Sequence, residues 1–388
     1  MAGVALPDAQ ANMNHVSSDT FAQMPMTVRM RRSPFWSSSY AHNPHGYLPY
    51  NNTLIASYFG VPEEEYYHLK SAVQLWDVGC ERQIEISGPD AARLVQMSTP
   101  RNIEGMQDDQ CYYIPTVDRD GGMTNDPVLL RLDENRYWVS ISDSDLMLFY
   151  KGVAAALKLD VHVHEPEVSP LGIQGPKADD LAARLWGDEV RELRFFRHMR
   201  VDVNGTPMLL ARSGFSTQGG FELYYEGTTG GDVLWDQLWE AGLDLDVRAG
   251  APHQSERIES GMLSYLSDIT QDVTPFEAGL GKLCTMDRDI GCLGWDALNA
   301  KKNPTRQLRP IEIDGGPLPA QTAFWPVTAQ GKQIGRISSS CRAFSFNCNA
   351  AVGMIDRSHW DAGTNLVVHT PTGPRDAVVK DKFWGRGN

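Results

Sequence analysis

The stretch MLLARSGFSTQGGFELYYEG, residues 208 to 227, decides how the rest of the chain is read. Apolar and aromatic runs flank a centre of small polar residues and glycines, so it reads as strand, glycine-rich loop, strand. Glu222 lies between Phe221 and Leu223 in the second strand. A carboxylate in such a strand is either paired in the interior or reads the donors of a ligand. Arg212 and Arg257 are its candidate ion partners, and both readings stay open on the residues alone.

Outward from there, EISGPDAARLV (85–95) and GIQGPKADDLAARLW (172–186) repeat one order of strand, turn and helix, which implies a duplicated βα unit. Further helices are expected from Pro62, where the acids come first, over 143–157, over 232–244 and over 255–269. CYYIPTVD and PVLLRL flank RDGGMTND and imply a hairpin around Gly121 and Gly122. Residues 29–52 carry no period and are expected to form a long loop held by its rings. After Arg306 come short strands with Pro and Gly turns: LRPIEIDG, QIGRISSS, NAAVGMID, NLVVHTP and RDAVVKD. The chain is therefore expected to be α+β, with a disordered extension over 1–28, an α+β region over 29–304 and an all-β C-terminal domain over 305–388.

Bulk properties exclude several classes. A formal net charge of −14 argues against a nucleic-acid surface. No apolar run approaches the roughly 18 to 20 residues that span a bilayer. Six cysteines with no C-x-x-C pair, in a chain of 388 residues, fit reduced thiols and a cytoplasmic location. P-loop, G-x-G-x-x-G, H-E-x-x-H and G-x-S-x-G motifs are all absent. His162 and His164 share one strand face, and two histidines alone make an incomplete zinc site, so no metal is expected.

Taken in order and spacing, WDVGCERQIEISGPDAARLVQ, YYIPTVDRDGGMTNDPV, WVSISDSD, EPEVSPLGIQGPKA, ARSGFSTQGGFELY, ERIESGMLSY and TPFEAGLGK resemble the glycine-cleavage T-protein (aminomethyltransferase) family from about Arg29 to the C-terminus. The resemblance is strongest to members that demethylate a sulfonium. It implies two interleaved α+β domains and a small β-barrel, three domains in a ring around a tetrahydrofolate pocket. It assigns Glu222 to the pterin's amide and amine edge, where a carboxylate offers two acceptors to adjacent N–H donors. Phe215, Tyr113, Tyr224 and Phe195 match pocket-lining positions, and flat aromatic walls suit a planar pterin.

Asn125 and Asp126, which alone read as ordinary turn chemistry, fall where aminomethyltransferases carry two aspartates. The first of those acts on the reacting amine. A sulfonium departs as a neutral thioether and needs no acid, so Asn125 is tolerable there, while Asp126 is expected to orient the nucleophile or stabilise its developing charge. Trp36, Tyr40 and Arg257 are expected on the donor side. After Ser264-Tyr265, where relatives read Gly-Asn-Asp, this chain has Leu266-Ser267-Asp268. The resemblance thus implies methyl transfer from a small onium donor, dimethylsulfoniopropionate first, to tetrahydrofolate; the sequence leaves the oligomeric state open, a homodimer among the options. The alternatives are an N-methyl or O-methyl donor, and a folate-binding regulator without turnover.

Overall fold

The computed structural model describes residues 27–385. Residues 1–26, nearly all of the stretch expected to be a disordered extension, lie outside the described residues. The described residues divide into two compact units: residues 30–253 with 263–304, and residues 254–262 with 27–29 and 305–385.

The larger unit holds two large sheets and two two-stranded ones. The first has six strands in the spatial order His198–Val203, Thr206–Ala211, Gly220–Glu226, Val168–Gln174, Val73–Asp77 and Val247–Gly250, and only the last joins in parallel. Because strand side chains alternate, Leu75, Leu171, Ile173, Phe221 and Leu223 all reach one face. There they pack on Leu181 of the helix Ala178–Trp186 and on Leu234 and Trp235 of the helix Gly231–Ala241.

The second sheet is antiparallel, in the order His162–His164, Gln83–Ser87, Arg136–Ser140, Val128–Asp133 and Cys111–Tyr113. Ile84, Ile86 and Val139 pack on Leu94, Val95, Leu146 and Tyr150 of the helices Ala91–Ser98 and Leu146–Leu157. The other faces of the two sheets meet through Cys111, Leu130 and Trp138 on one side and Leu209, Ala211 and Tyr224 on the other.

The duplicated unit is real. Gly88 and Gly175 end equivalent strands at the same φ of +123°. A Cβ would lie 2.6 Å from the Asp160 carbonyl oxygen at the first and 2.3 Å from the Ala72 carbonyl oxygen at the second. Only glycine meets both demands.

The smaller unit is a closed six-stranded barrel in the order Arg306–Ile313, Cys348–Asp356, Lys332–Ala343, Trp325–Ala329, Asn365–Thr370 and Gly373–Val379. Ile311, Val327, Ile337, Ile355 and Val368 fill it. The C-terminal barrel expected from pattern is present, with one strand more than the pattern gave. Trp325–Ala329 contains Pro326, which lowers strand propensity, yet the barrel accepts it opposite Arg336.

Two other expectations need correction. The helix expected over 255–269 stops at Ser260, because Gly261 turns to φ +70° and a Cβ there would meet the Phe383 ring at 2.4 Å. The loop expected over 29–52 contains a short helix, Trp36–Ala41, and a strand, Gly46–Tyr50, paired with Thr53–Tyr58. Asn51 and Asn52, both at positive φ, make the hairpin turn. Among the described residues no helix is long and apolar enough to cross a membrane.

Candidate active site

The glycine-rich loop is fixed by Gln174. Its amide nitrogen donates to the Ser213 and Phe221 carbonyls, both at 3.0 Å, and its amide oxygen accepts from the Ser216 hydroxyl at 2.8 Å. A Cβ at Gly214 would fall 2.2 Å from that amide, so the loop closes over Gln174 only with glycine there.

The strand that follows carries Glu222, which is 7% exposed. Ser213 Oγ donates to its Oε2 at 2.5 Å. No further hydrogen bond or ion pair from the described residues reaches it. Arg212 pairs with Asp179 at 2.8 Å. Arg257, in the smaller unit, donates to Gln254 at 2.8 Å and to Ser339 at 2.9 Å. The interior ion pair is therefore not what Glu222 makes. Burial holds its carboxyl above the ordinary range, against the pull of the Ser213 hydroxyl.

Register places Glu222 opposite Gly172, and Gly172 opposite Trp76. A Cβ at 172 would stand 3.2 Å from that of Trp76, so glycine leaves this row open between carboxylate and indole. Phe215 packs beside Trp76, with Leu69, Val78 and Ile55.

The turn after Gly121 and Gly122 presents Asn125 and Asp126. Asn125 is fully buried and spends every side-chain group on its surroundings. Its nitrogen donates to the Ser142 carbonyl at 3.0 Å and to Ser144 Oγ at 2.8 Å, and its oxygen accepts from the Asp126 and Ser142 backbone N–H groups at 2.9 and 3.1 Å. The amide locks the turn and keeps no donor for a ligand. Asp126 accepts from Tyr113 at 3.0 Å and from Ser142 Oγ at 2.9 Å. Burial drives its carboxyl up to about 7, the Ser142 and Tyr113 hydroxyls oppose this, and the Asp268 charge adds to it.

Sequence reading missed two residues here. Glu81, in the turn after Val73–Asp77, has its carboxyl beside the Ser140 hydroxyl, and burial together with the charges of Glu222 and Asp126 holds it well above the ordinary range. Tyr50 arrives on the Gly46–Tyr50 hairpin, with Ser142 at its phenol and Glu81 and Asp126 nearby. The neighbouring Asn51 anchors this hairpin through its N–H to Asp143 at 2.9 Å and its side chain to the Cys80 carbonyl at 3.0 Å. No local signal set Glu81 apart, since Asp77 and Glu85 stand four residues to either side of it.

Tyr224 is buried, with its phenol near Glu222, Glu81 and Ser140. Phe195 is not brought to this cluster: it is 71% exposed and stacks edge-on upon Phe196, with centroids 4.5 Å apart. Trp36 stacks on Tyr40 at 5.9 Å and tilts onto Tyr47 at 5.4 Å. This aromatic group stands on the short helix whose neighbour Phe35 packs into the helix-covered core, and Tyr40 is 59% exposed. Arg31 and Arg82 both pair with Glu165.

The geometry thus gathers Glu81, Asp126 and Glu222 with the phenols of Tyr50, Tyr113 and Tyr224. Among the described residues none of the three carboxyls makes an ion pair, and no three metal-ligating side chains lie close enough to hold a metal ion.

Sequence comparison assigns residues 15–288 to the GCVT N-terminal domain and 306–384 to the glycine cleavage T-protein C-terminal barrel domain. The chain belongs to the glycine cleavage T-protein family. It is 49% identical over 358 residues to the dimethylsulfoniopropionate demethylase DmdA of Ruegeria pomeroyi, covering 92% of this chain and 98% of that one. An aminomethyltransferase of Caldanaerobacter subterraneus is 26% identical, over 84% and 88% of the two chains. The crystal structure of glycine cleavage system aminomethyltransferase T from Bartonella henselae has the same fold, with a TM-score of 0.79 at 21% identity over 90% of this chain and 97% of that one.

Proposed function

We propose that this chain demethylates a small onium compound, dimethylsulfoniopropionate first, and passes the methyl group to tetrahydrofolate. The observation that carries the reading is the set of buried Asp126 and Glu222 with half-buried Glu81, lined by phenols and, among the described residues, lacking any basic partner. Such a set suits a ligand that brings its own positive charge. The 49% identity to a dimethylsulfoniopropionate demethylase supports the choice of donor.

The residues present fit a reduced pterin. Glu222 keeps Oε1 free of partners among the described residues and faces an open row beside Trp76, so it can accept from adjacent N–H groups of a planar edge. Phe215 and Tyr113 supply flat walls. Tetrahydrofolate, when bound, supplies the N5 lone pair that takes the methyl carbon while the carbon–sulfur electron pair leaves with sulfur as a neutral thioether. Asp126 then has two tasks: its carboxylate stabilises positive charge at the attacking nitrogen, and with a value of about 7 it can accept that nitrogen's proton near neutrality. Ser142 and Tyr113 hold it in place. Asn125 acts one step back, as the pin of the turn.

We also place the protein in the cytoplasm, in keeping with six free cysteines. The reading is tested by incubating the protein and tetrahydrofolate with dimethylsulfoniopropionate, an N-methyl ammonium compound and an O-methyl aromatic ether, and measuring 5-methyltetrahydrofolate. Formation from the sulfonium is expected. Turnover only on the ether or the ammonium compound would move the donor class. Tight folate binding with no turnover on any donor would favour a regulatory member.

A further inference from the structure

Residues at the tip of a hairpin ordinarily face water. Asn52 does so, whereas its neighbour Asn51 is only 5% exposed. Both stand at positive φ, which asparagine tolerates better than most side chains. The burial of Asn51 has a cause, because its amide is spent largely on residues 141–144, directly after the strand Arg136–Ser140. Its Nδ2 donates to the Cys80 carbonyl at 3.0 Å and to the Ile141 and Ser142 carbonyls at 3.4 Å. Its Oδ1 accepts from the Ser144 N–H at 3.1 Å, and its own N–H donates to Asp143 Oδ1 at 2.9 Å. Asn125 holds the same segment, through the Ser142 N–H and carbonyl and through Ser144 Oγ. Two buried amides, far apart in sequence, thus grip one short stretch of chain. What that grip sets in place is the Ser142 hydroxyl, which donates to Asp126 Oδ1 at 2.9 Å.

We propose that Asn51 is a positioning residue for methyl transfer, holding residues 141–144 so that the Ser142 hydroxyl stays on Asp126. The inference rests on the reading of Asp126 given above. An amide suits the task, since it offers donors to carbonyls and an acceptor to an N–H at once. The Ser142 hydroxyl donates to the ionised carboxylate and so favours that form. A segment free to drift takes this donor away, and Asp126 then keeps its proton to higher pH. The other groups facing Asp126 are Tyr113, Asp268 and Tyr265, Glu81 from the turn after Val73–Asp77, and Tyr50. Tyr50 stands beside Asn51 on the same hairpin, so the test must separate a route through Ser142 from one through Tyr50.

The pH profile of kcat for 5-methyltetrahydrofolate formation, measured in Asn51→Gly, Ser142→Ala and the double variant, tests this, with Asn52→Gly as control. Glycine suits the positive φ, so Asn51→Gly removes the side-chain bonds and keeps both the turn and the N–H to Asp143. The midpoint of the climb is expected to rise by roughly one pH unit, the size of one hydrogen bond to a charged group. At neutral pH that is a loss of roughly five-fold in kcat, with KM for donor and folate unchanged. Asn51→Ser keeps a short polar group and should shift less, and Asn52→Gly should not shift. Because Asn51 acts through Ser142, the double variant should match Ser142→Ala. Should Asn51→Gly not fold, Asn51→Ser against Ser142→Ala is read in the same way. A lowered melting midpoint with an unmoved pH profile makes Asn51 a structural residue only and overturns the inference, as do shifts that add in the double variant. A wild type without turnover, or with a climb that survives in Asp126→Asn, overturns the functional reading of Asp126 and this inference with it.

Discussion

Asp126 shows how one buried carboxyl links stability to chemistry. Its folded value of about 7 lies above its unfolded value, so its protonated form favours the fold. That contribution is complete below about pH 4, the unfolded range, and is lost as pH rises through about 7. Activity should run the other way, because the ionised form stabilises the attacking nitrogen. kcat is expected to climb through about pH 7 in wild type, and Asp126→Asn should flatten the climb while making thermal stability less sensitive to pH over the same window. A climb that survives in the asparagine variant would assign the titration to another group.

Glu222 makes a second residue-scale prediction. Glu222→Gln replaces an acceptor pair by one acceptor and one donor and should weaken reduced folate by about 10- to 100-fold, since hydrogen bonds to charged groups contribute roughly 1.5–3 kcal/mol. Fluorescence or calorimetric titration would measure it. Unchanged affinity would remove Glu222 from the pterin.

At the scale of elements, the site hangs on turns. Asn125→Ala leaves two buried backbone N–H groups, those of Asp126 and Ser142, without their acceptor, and should cost about 2–4 kcal/mol of stability. A fall in the melting midpoint with Asp126 activity lost in parallel would mark Asn125 as the pin. Leu266 sits at φ +68°, a left-handed conformation that suits glycine and costs a branched side chain about 1–2 kcal/mol. Leu266→Gly should therefore raise the midpoint or leave it unchanged, and a clear fall would show that the leucine side chain has a packing role.

These same turns explain what the sequence could tell. Gly88 and Gly175 announced the repeated βα unit because each needs a backbone only glycine adopts, and Glu222 stood out as a charge in an apolar strand. Glu81 and Tyr50 did not stand out. Their importance comes from three elements distant in sequence converging on one point, and no local pattern encodes that. The hairpin that delivers Tyr50 turns on Asn51-Asn52, a readable signal obscured by the prolines and serines around it. Trp36 and Tyr40 were conspicuous as rings, but their neighbour Phe35 carries that segment into the helix-covered core. Composition shows that an aromatic packs, and tertiary context decides where.

At the scale of the molecule, two sheets each bury one face under helices and present the other to a shared interior, where carboxyls and phenols replace some of the apolar contacts. A protein that leaves buried carboxyls unpaired gives up stability there, and a ligand that satisfies them returns it. Reduced folate at about 100 times its Kd should stabilise the fold by roughly 2.7 kcal/mol through mass action alone. A thermal shift of matching size, larger with donor also present, is expected. The overall charge of −14 plays a different part, since it favours solubility and disfavours polyanions without selecting a substrate.

The central proposal is methyl transfer from a sulfonium to folate, and isotope transfer tests it most directly. In a single turnover, dimethylsulfoniopropionate with deuterated S-methyl groups and stoichiometric tetrahydrofolate should yield one intact trideuteromethyl group on the folate for each thioether formed. Thioether formed without labelled folate, or a sulfonium left unconsumed by folate-loaded protein, would contradict the account.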